Sequence, residues 1–219
     1  MAACLQPISI PNPKTKDRRD RITVPCGHCV SCLQRRSNGW SMRLEEEMKV
    51  STSAFFVTLT YDENHIPINE YGNYTLVKKD LQLFMKRLRK HSGNRLRYYA
   101  VGEYGSITER PHYHMILFNL EDTQFIVESW DKGFVKVGSV NPGSIRYTCK
   151  YIINVDKREQ GRQREFALMS RRGGIGKNYL TPEIIKYHKD GNYTAIREGG
   201  VRVSLPRFYV DKIHTGTLS

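Results

Sequence analysis

At 219 residues the chain is long enough for one sizeable domain with an appendage, and too short to favour two full domains. Lys and Arg outnumber Asp and Glu 35 to 22, and the resulting +13 charge and pI near 9.6 point to a polyanion, nucleic acid foremost. No apolar stretch approaches a membrane span and none reads as an amphipathic anchor. Met1-Ala2-Ala3-Cys4 begins no signal peptide, so a soluble, intracellular protein without a membrane partner is expected.

Four of the five cysteines fall within the first 32 residues, three of them in Cys26-Gly27-His28-Cys29-Val30-Ser31-Cys32. Residues 11–21, rich in Pro, Lys, Arg and Asp, predict a loop or extended arm. Leu33, Trp40, Leu44 and Met48 then recur at helical spacing, with Arg35, Arg36, Arg43 and Glu45 to Glu47 on other faces. Residues 54–61, aromatic and β-branched, predict a strand; 62–78, with Pro67 and Gly72, a loop. Leu81, Phe84, Met85 and Leu88 form the apolar stripe of a second helix. Residues 97–102 and 112–118 predict an antiparallel hairpin, 133–140 a further strand, and 145–154 a short helix.

Residues 156–178 are basic and glycine-rich and predict a mobile loop touching a phosphate backbone through Arg171, Arg172 and Lys177. It is not a Walker loop, because Asn178 follows the lysine and Arg171 displaces the leading glycine. Residues 193–213 alternate as strands would, predicting a hairpin against the core. The sum is an α+β fold: an antiparallel sheet with helices on one face and the other face open for a ligand. The expected division, within one domain overall, is a Cys-rich segment and helix over 1–50, a core over 51–160, and a basic loop with packed strands over 161–219.

Residues i and i+2 of a strand share a face, so His112 and His114 project together, and Glu103, ending the preceding strand, could face them across the hairpin. Two imidazoles, a carboxylate and open positions suit Mg²⁺ or Mn²⁺ when a substrate phosphate completes the shell. A histidine-triad hydrolase would require a third histidine where Ile116 stands. Tyr147 and Tyr151, four apart, share a helical face, with Ile145, Cys149 and Ile152 as the core-facing stripe beside it. A phenol with pKa near 10 becomes a nucleophile only beside a polarised phosphate, and Lys150 could orient that phosphate or stabilise the phenolate. Paired imidazoles and paired phenols together suggest metal-assisted cutting and rejoining of DNA. The alternative is a non-catalytic single-stranded nucleic-acid-binding protein using the same basic, aromatic surface.

Cys4, Cys26, Cys29 and Cys32 could complete a tetrahedral thiolate site for structural Zn²⁺. The same spacing allows an iron–sulfur cluster, which is disfavoured because no redox task is implied. Cys149 reads as structural.

Phe56-Val57-Thr58-Leu59-Thr60-Tyr61, Arg110-Pro111-His112-Tyr113-His114 and Tyr147-x-x-Lys150-Tyr151 resemble, in order, the three motifs of HUH rolling-circle replication initiators. Val24-Pro25-Cys26-Gly27-His28-Cys29-x-x-Cys32, Phe84-Met85-Lys86-Arg87-Leu88-Arg89 and Gly102-Glu103-Tyr104-Gly105 narrow the resemblance to the initiators of gokushovirus-type Microviridae, small phages with circular single-stranded DNA. The match runs from about residue 4 to about residue 180. It implies an HUH endonuclease with an RRM/ferredoxin-like core that nicks the phage origin through a 5′-phosphotyrosine, then transfers and circularises the strand. It also implies single-stranded or supercoiled phage DNA as substrate, host helicase and DNA polymerase as partners, and the host cytoplasm as location. The chain departs in being compact between Phe118 and Gly133, where relatives often carry a longer insertion.

Overall fold

A computed structural model describes residues 3–150, 161–197 and 200–215. The N-terminal arm forms a small antiparallel hairpin, β1 (Ile8–Pro11) with β2 (Arg21–Val24), around the polar turn expected over 11–21. A 21-residue helix, α1 (Val30–Val50), follows. The core elements come next: β3 (Ala54–Tyr61), α2 (Lys78–His91), β4 (Arg97–Tyr104), β5 (Pro111–Phe118), α3 (Gln124–Ser129), β6 (Gly133–Ser139) and α4 (Pro142–Lys150). Beyond the undescribed 151–160 lie β7 (Phe166–Met169), a 3-10 turn at Lys177–Tyr179, α5 (Pro182–Lys189), β8 (Thr194–Ile196), β9 (Arg202–Ser204) and α6 (Arg207–Thr215).

The sheet order is β6-β3-β5-β4-β7, with every neighbouring pair antiparallel. Strand alternation sorts the side chains. Val57, Leu59, Tyr61, Tyr98, Ala100, Tyr113, Met115 and Leu117 turn to one face, where α2 buries Leu81, Phe84, Met85 and Leu88 and α3 buries Ile126. Gly133 opens β6 at φ 144°, and a Cβ there would stand 2.4 Å from the Thr60 carbonyl oxygen, so only glycine fits.

The α+β architecture, antiparallel sheet and Cys-rich N-terminal segment follow the expectation, but helices cover both faces of the sheet and not one. Tyr99, Val101, Ile116 and Phe118 point away from α2 and are buried beneath Leu44 of α1 and Ile145 and Cys149 of α4. The central strands are apolar at both parities, and such strands need cover on both sides.

Three further elements differ from the sequence expectation. Residues 166–169 form the edge strand β7 inside the stretch read as loop; each side chain is only half-buried, so no alternation marks it. Residues 182–189 form α5, with Pro182 at its start and Thr181 accepting from the Ile184 amide. Residues 194–204 pair as a hairpin, but 207–215 form a helix: buried Tyr209 and Ile213 are four apart, the helical interval. The 171–177 loop is pinned by its backbone. Glu47 accepts from the Gly176 amide at 2.7 Å, Arg43 donates to the Ile175 carbonyl at 2.9 Å, and Arg97, ion-paired with Glu47, donates to Gly174 and Arg172 carbonyls. No described helix is long and apolar enough to cross a membrane.

Candidate metal centre and tyrosine site

Register brings the predicted ligands together. Glu103 lies opposite His112 across β4 and β5, and both histidines occupy the β5 parity turned toward α1 and α4. Glu103 Oε1 lies 2.6 Å from His112 Nε2 and 2.9 Å from His114 Nε2, and one ligand atom from each of the three residues falls within 4.8 Å of the others. The rings are oriented from behind. His112 Nδ1 is 3.0 Å from the Arg110 carbonyl oxygen and so carries the proton, and His114 Nδ1 is 3.0 Å from Thr58 Oγ1. Both Nε2 atoms are thereby presented to Glu103.

This arrangement demands a cation. Glu103 is 2% exposed, and its Oε2 is buried with no hydrogen-bond partner among the described residues. Burial pushes its carboxyl up, but the two imidazoles outweigh that and leave it below the usual carboxylate range. Burial likewise lowers His112, yet Glu103 holds it above its ordinary value. A carboxylate and two imidazole nitrogens at such separations repel one another unless a proton or a metal ion sits between them. The donor set fits a divalent metal.

Tyr147 stands on α4 beside this cluster. Ile145 and Cys149 are buried on the helix's core-facing side, while Tyr147 is 41% exposed and Lys150 is exposed. Tyr147 Oη lies 3.5 Å from His114 Nε2, a close approach longer than a strong hydrogen bond, and its ring meets His114 edge-on at 5.0 Å. Phe56 stacks on His114 at 5.5 Å and takes the Tyr147 edge on its face, so it fixes the angle between them. Tyr151 and Ile152 lie outside the described residues. Sequence reasoning assigned no role to Thr58 or Phe56; their even numbers in β3, the same parity as Thr60 opposite His112, were the available signal.

The second cluster is at the N-terminus. Cys4 Sγ lies 3.6 Å from Cys26 Sγ and 3.8 Å from Cys29 Sγ, and Cys26 Sγ lies 4.0 Å from Cys32 Sγ. A tetrahedron with metal–sulfur bonds of about 2.3 Å has edges of about 3.8 Å, so the sulfurs are spaced to share one ion. All four are free thiols, too far apart to be disulfides. Amides of Cys32 and Leu5 bring Cys29 down to about 6; Cys32 gains the Gly27 amide, but burial and its sulfur neighbours push it up to about 12. Four thiolates cannot coexist here without a cation. Both clusters could hold a metal ion.

Of the basic loop residues, Arg171 and Arg172 are exposed and Lys177 is half-buried.

The family model for the replication-associated protein ORF2 matches residues 54–156, which span the sheet and α4. The chain is 30% identical over 214 residues to the replication-associated protein ORF2 of Spiroplasma virus 4, covering 85% of this chain and 66% of the relative. It is 26% identical to the replication-associated protein VP4 of Bdellovibrio phage phiMH2K, covering 87% of this chain and 67% of the relative. It is 26% identical to the replication-associated protein ORF4 of Chlamydia phage 1, covering 86% of this chain and 53% of that relative. The chain thus spans about two thirds of the length of the first two relatives and about half of the third. No solved structure matches.

Proposed function

We propose, from the premise that the chain belongs to the ORF2 family of replication-associated proteins, that it initiates phage DNA replication as a nicking and joining endonuclease. The observation that carries this reading is the Tyr147 hydroxyl 3.5 Å from His114 Nε2, at the edge of the Glu103–His112–His114 cluster. In the step we propose, Tyr147 Oη forms a bond to the scissile phosphorus while the bond to the 3′ oxygen breaks. The exposed side chain releases the phenolic proton toward solvent, and the leaving 3′ oxygen takes one up. The product is a 5′-phosphotyrosine and a free 3′-OH that a host polymerase can extend. The new phosphodiester retains the energy of the old one, so attack by a 3′-OH reseals the strand without a nucleotide cofactor.

Glu103, His112 and His114 would hold the catalytic ion, and Mg²⁺ or Mn²⁺ there would supply Lewis acidity toward the phosphate. Thr58 and the Arg110 carbonyl hold the imidazoles in orientation. Lys150 would stabilise the phenolate, and Arg171, Arg172 and Lys177 would contact the DNA backbone. Tyr151, one helical turn on, is the second acceptor, needed to cut a regenerated origin while the first link persists. Cys4, Cys26, Cys29 and Cys32 would hold a structural Zn²⁺. We assign the chemistry to residues 51–160, the Cys-rich segment and helix to 1–50, and the basic loop with its packed elements to 161–219. Host helicase is the further partner of this reading, and the host cytoplasm its location.

The test is incubation with phage single-stranded DNA and Mn²⁺, followed by denaturing electrophoresis. A covalent protein–DNA band is expected. Binding without any such band would reduce the protein to a single-stranded DNA-binding factor.

A further inference from the structure

The sheet face that carries His112 and His114 is covered unevenly. Its centre lies under α1 and α4, but its β6 margin is open. Along β6, Val135 and Val137 turn to the α2 side, leaving Phe134, Lys136 and Gly138 on the histidine side. Phe134 is 68% exposed and belongs to none of the hydrophobic clusters. Lys136 is also exposed, and a Cβ built on Gly138 would meet nothing within 4 Å, so the space above it is open. Register connects this margin to the metal cluster. Phe134 lies opposite Thr60, which lies opposite His112; Lys136 lies opposite Thr58, which holds His114. Two strand spacings, about 10 Å, separate the exposed ring from His112.

We propose that this β6 margin is the platform for the single strand flanking the scissile phosphate, with Phe134 stacking a base and Lys136 contacting a backbone phosphate. The proposal rests on the nicking reading and deepens it by naming where the substrate runs. Every base has a π-face, so a lone exposed ring grips single-stranded DNA with little sequence preference. Thr58, Thr60 and Gly138 are small and keep the floor between ring and metal cluster low. The +13 charge favours a polyanionic occupant, and one ring set between a lysine and threonines lacks the apolar area a protein partner would need.

The test is binding of a short single-stranded oligonucleotide to the full chain without divalent metal, followed by fluorescence anisotropy. Phe134→Ala should weaken binding by roughly 5- to 50-fold. Phe134→Trp should retain affinity, and its emission should be quenched on binding. Lys136→Ala should lower the salt slope of binding by about one unit. Gly138→Trp should block the path, while Val127→Ala, an exposed apolar residue on the α3 side, should change nothing. Unaltered affinity in Phe134→Ala, with an unquenched tryptophan at 134, overturns the platform. Because no bond is cut in this assay, a wild-type protein that binds through Phe134 but forms no covalent adduct overturns the nuclease reading alone. Adduct formation with an unchanged KM in Phe134→Ala overturns the platform alone.

Discussion

Glu103 sets the electrostatics of the site, and its pairing with His112 fixes how the metal-free protein responds to pH. His112 is held above its ordinary 6.5, so its contribution to stability is full below 6.5 and is lost as pH rises through the raised folded value. Glu103 is held below 4.5, so its contribution is present above 4.5 and is lost as pH falls through the depressed folded value. The pair is therefore most stabilising in the mildly acidic window between those values. There the metal-free Glu103→Gln variant should show its largest loss in Tm, shrinking toward alkaline pH. The same His112 proton competes with metal, so Mn²⁺ affinity by calorimetry should rise from about pH 6 to about pH 8. A flat pH profile would remove His112 from the ligand set. His112→Ala and His114→Ala should abolish nicking yet keep most DNA affinity, which resides in the Lys and Arg contacts. For the nucleophiles, Tyr147→Phe and Tyr151→Phe should each leave some cleavage of a short oligonucleotide. The double variant should form no adduct on a denaturing gel; if it does, the nucleophile lies elsewhere.

At the scale of elements, legibility followed burial. The strongly periodic β3, β5 and α2 were readable because one face of each is buried and the other is not, or because the whole run is apolar. The Glu103–His112 apposition was readable because a hairpin fixes register. What was lost depended on distant partners. β7 is a strand only because β4 offers an edge, and α1 covers the second face through Leu44, far from the strands it buries. The pinned basic loop is the clearest case. Glu47 reads as a surface charge on a helix, yet it is 4% exposed and holds Arg97 and the Gly176 amide. Gly176, at φ 71°, would place a Cβ 2.4 Å from the Arg43 carbonyl oxygen, so the glycines read as flexibility are a fit to close packing. Glu47→Ala strips a buried guanidinium and an amide of their partner and should cost about 3–5 kcal/mol by denaturant unfolding. It should also raise amide exchange across 171–177; unchanged exchange there would show that Arg43 and Tyr209 suffice to hold the loop.

At the scale of the whole molecule, the core and the N-terminal arm are held by different physics. The three hydrophobic clusters that bind the sheet, α2, α1 and the C-terminal elements contain no residue from 3–31. Leu5 and Ile8 are exposed, and β1 and β2 have only each other. A two-stranded hairpin of that size is marginal in water by itself. Its attachment is the thiolate cluster, in which Cys4 precedes β1, Cys26 follows β2, Cys29 caps α1 and Cys32 lies in the first turn of that helix. One ion bound by all four closes the arm onto the helix, and its binding free energy is then the local folding free energy. Metal analysis of protein purified without chelator should find about one zinc per chain. Chelation should raise amide exchange over residues 3–32 while exchange in β3, β4 and β5 stays slow, since their burial owes nothing to the arm. Protein that carries neither zinc nor iron, with four freely reactive thiols and an arm still protected, would show that the hairpin is held by something other than the cysteines.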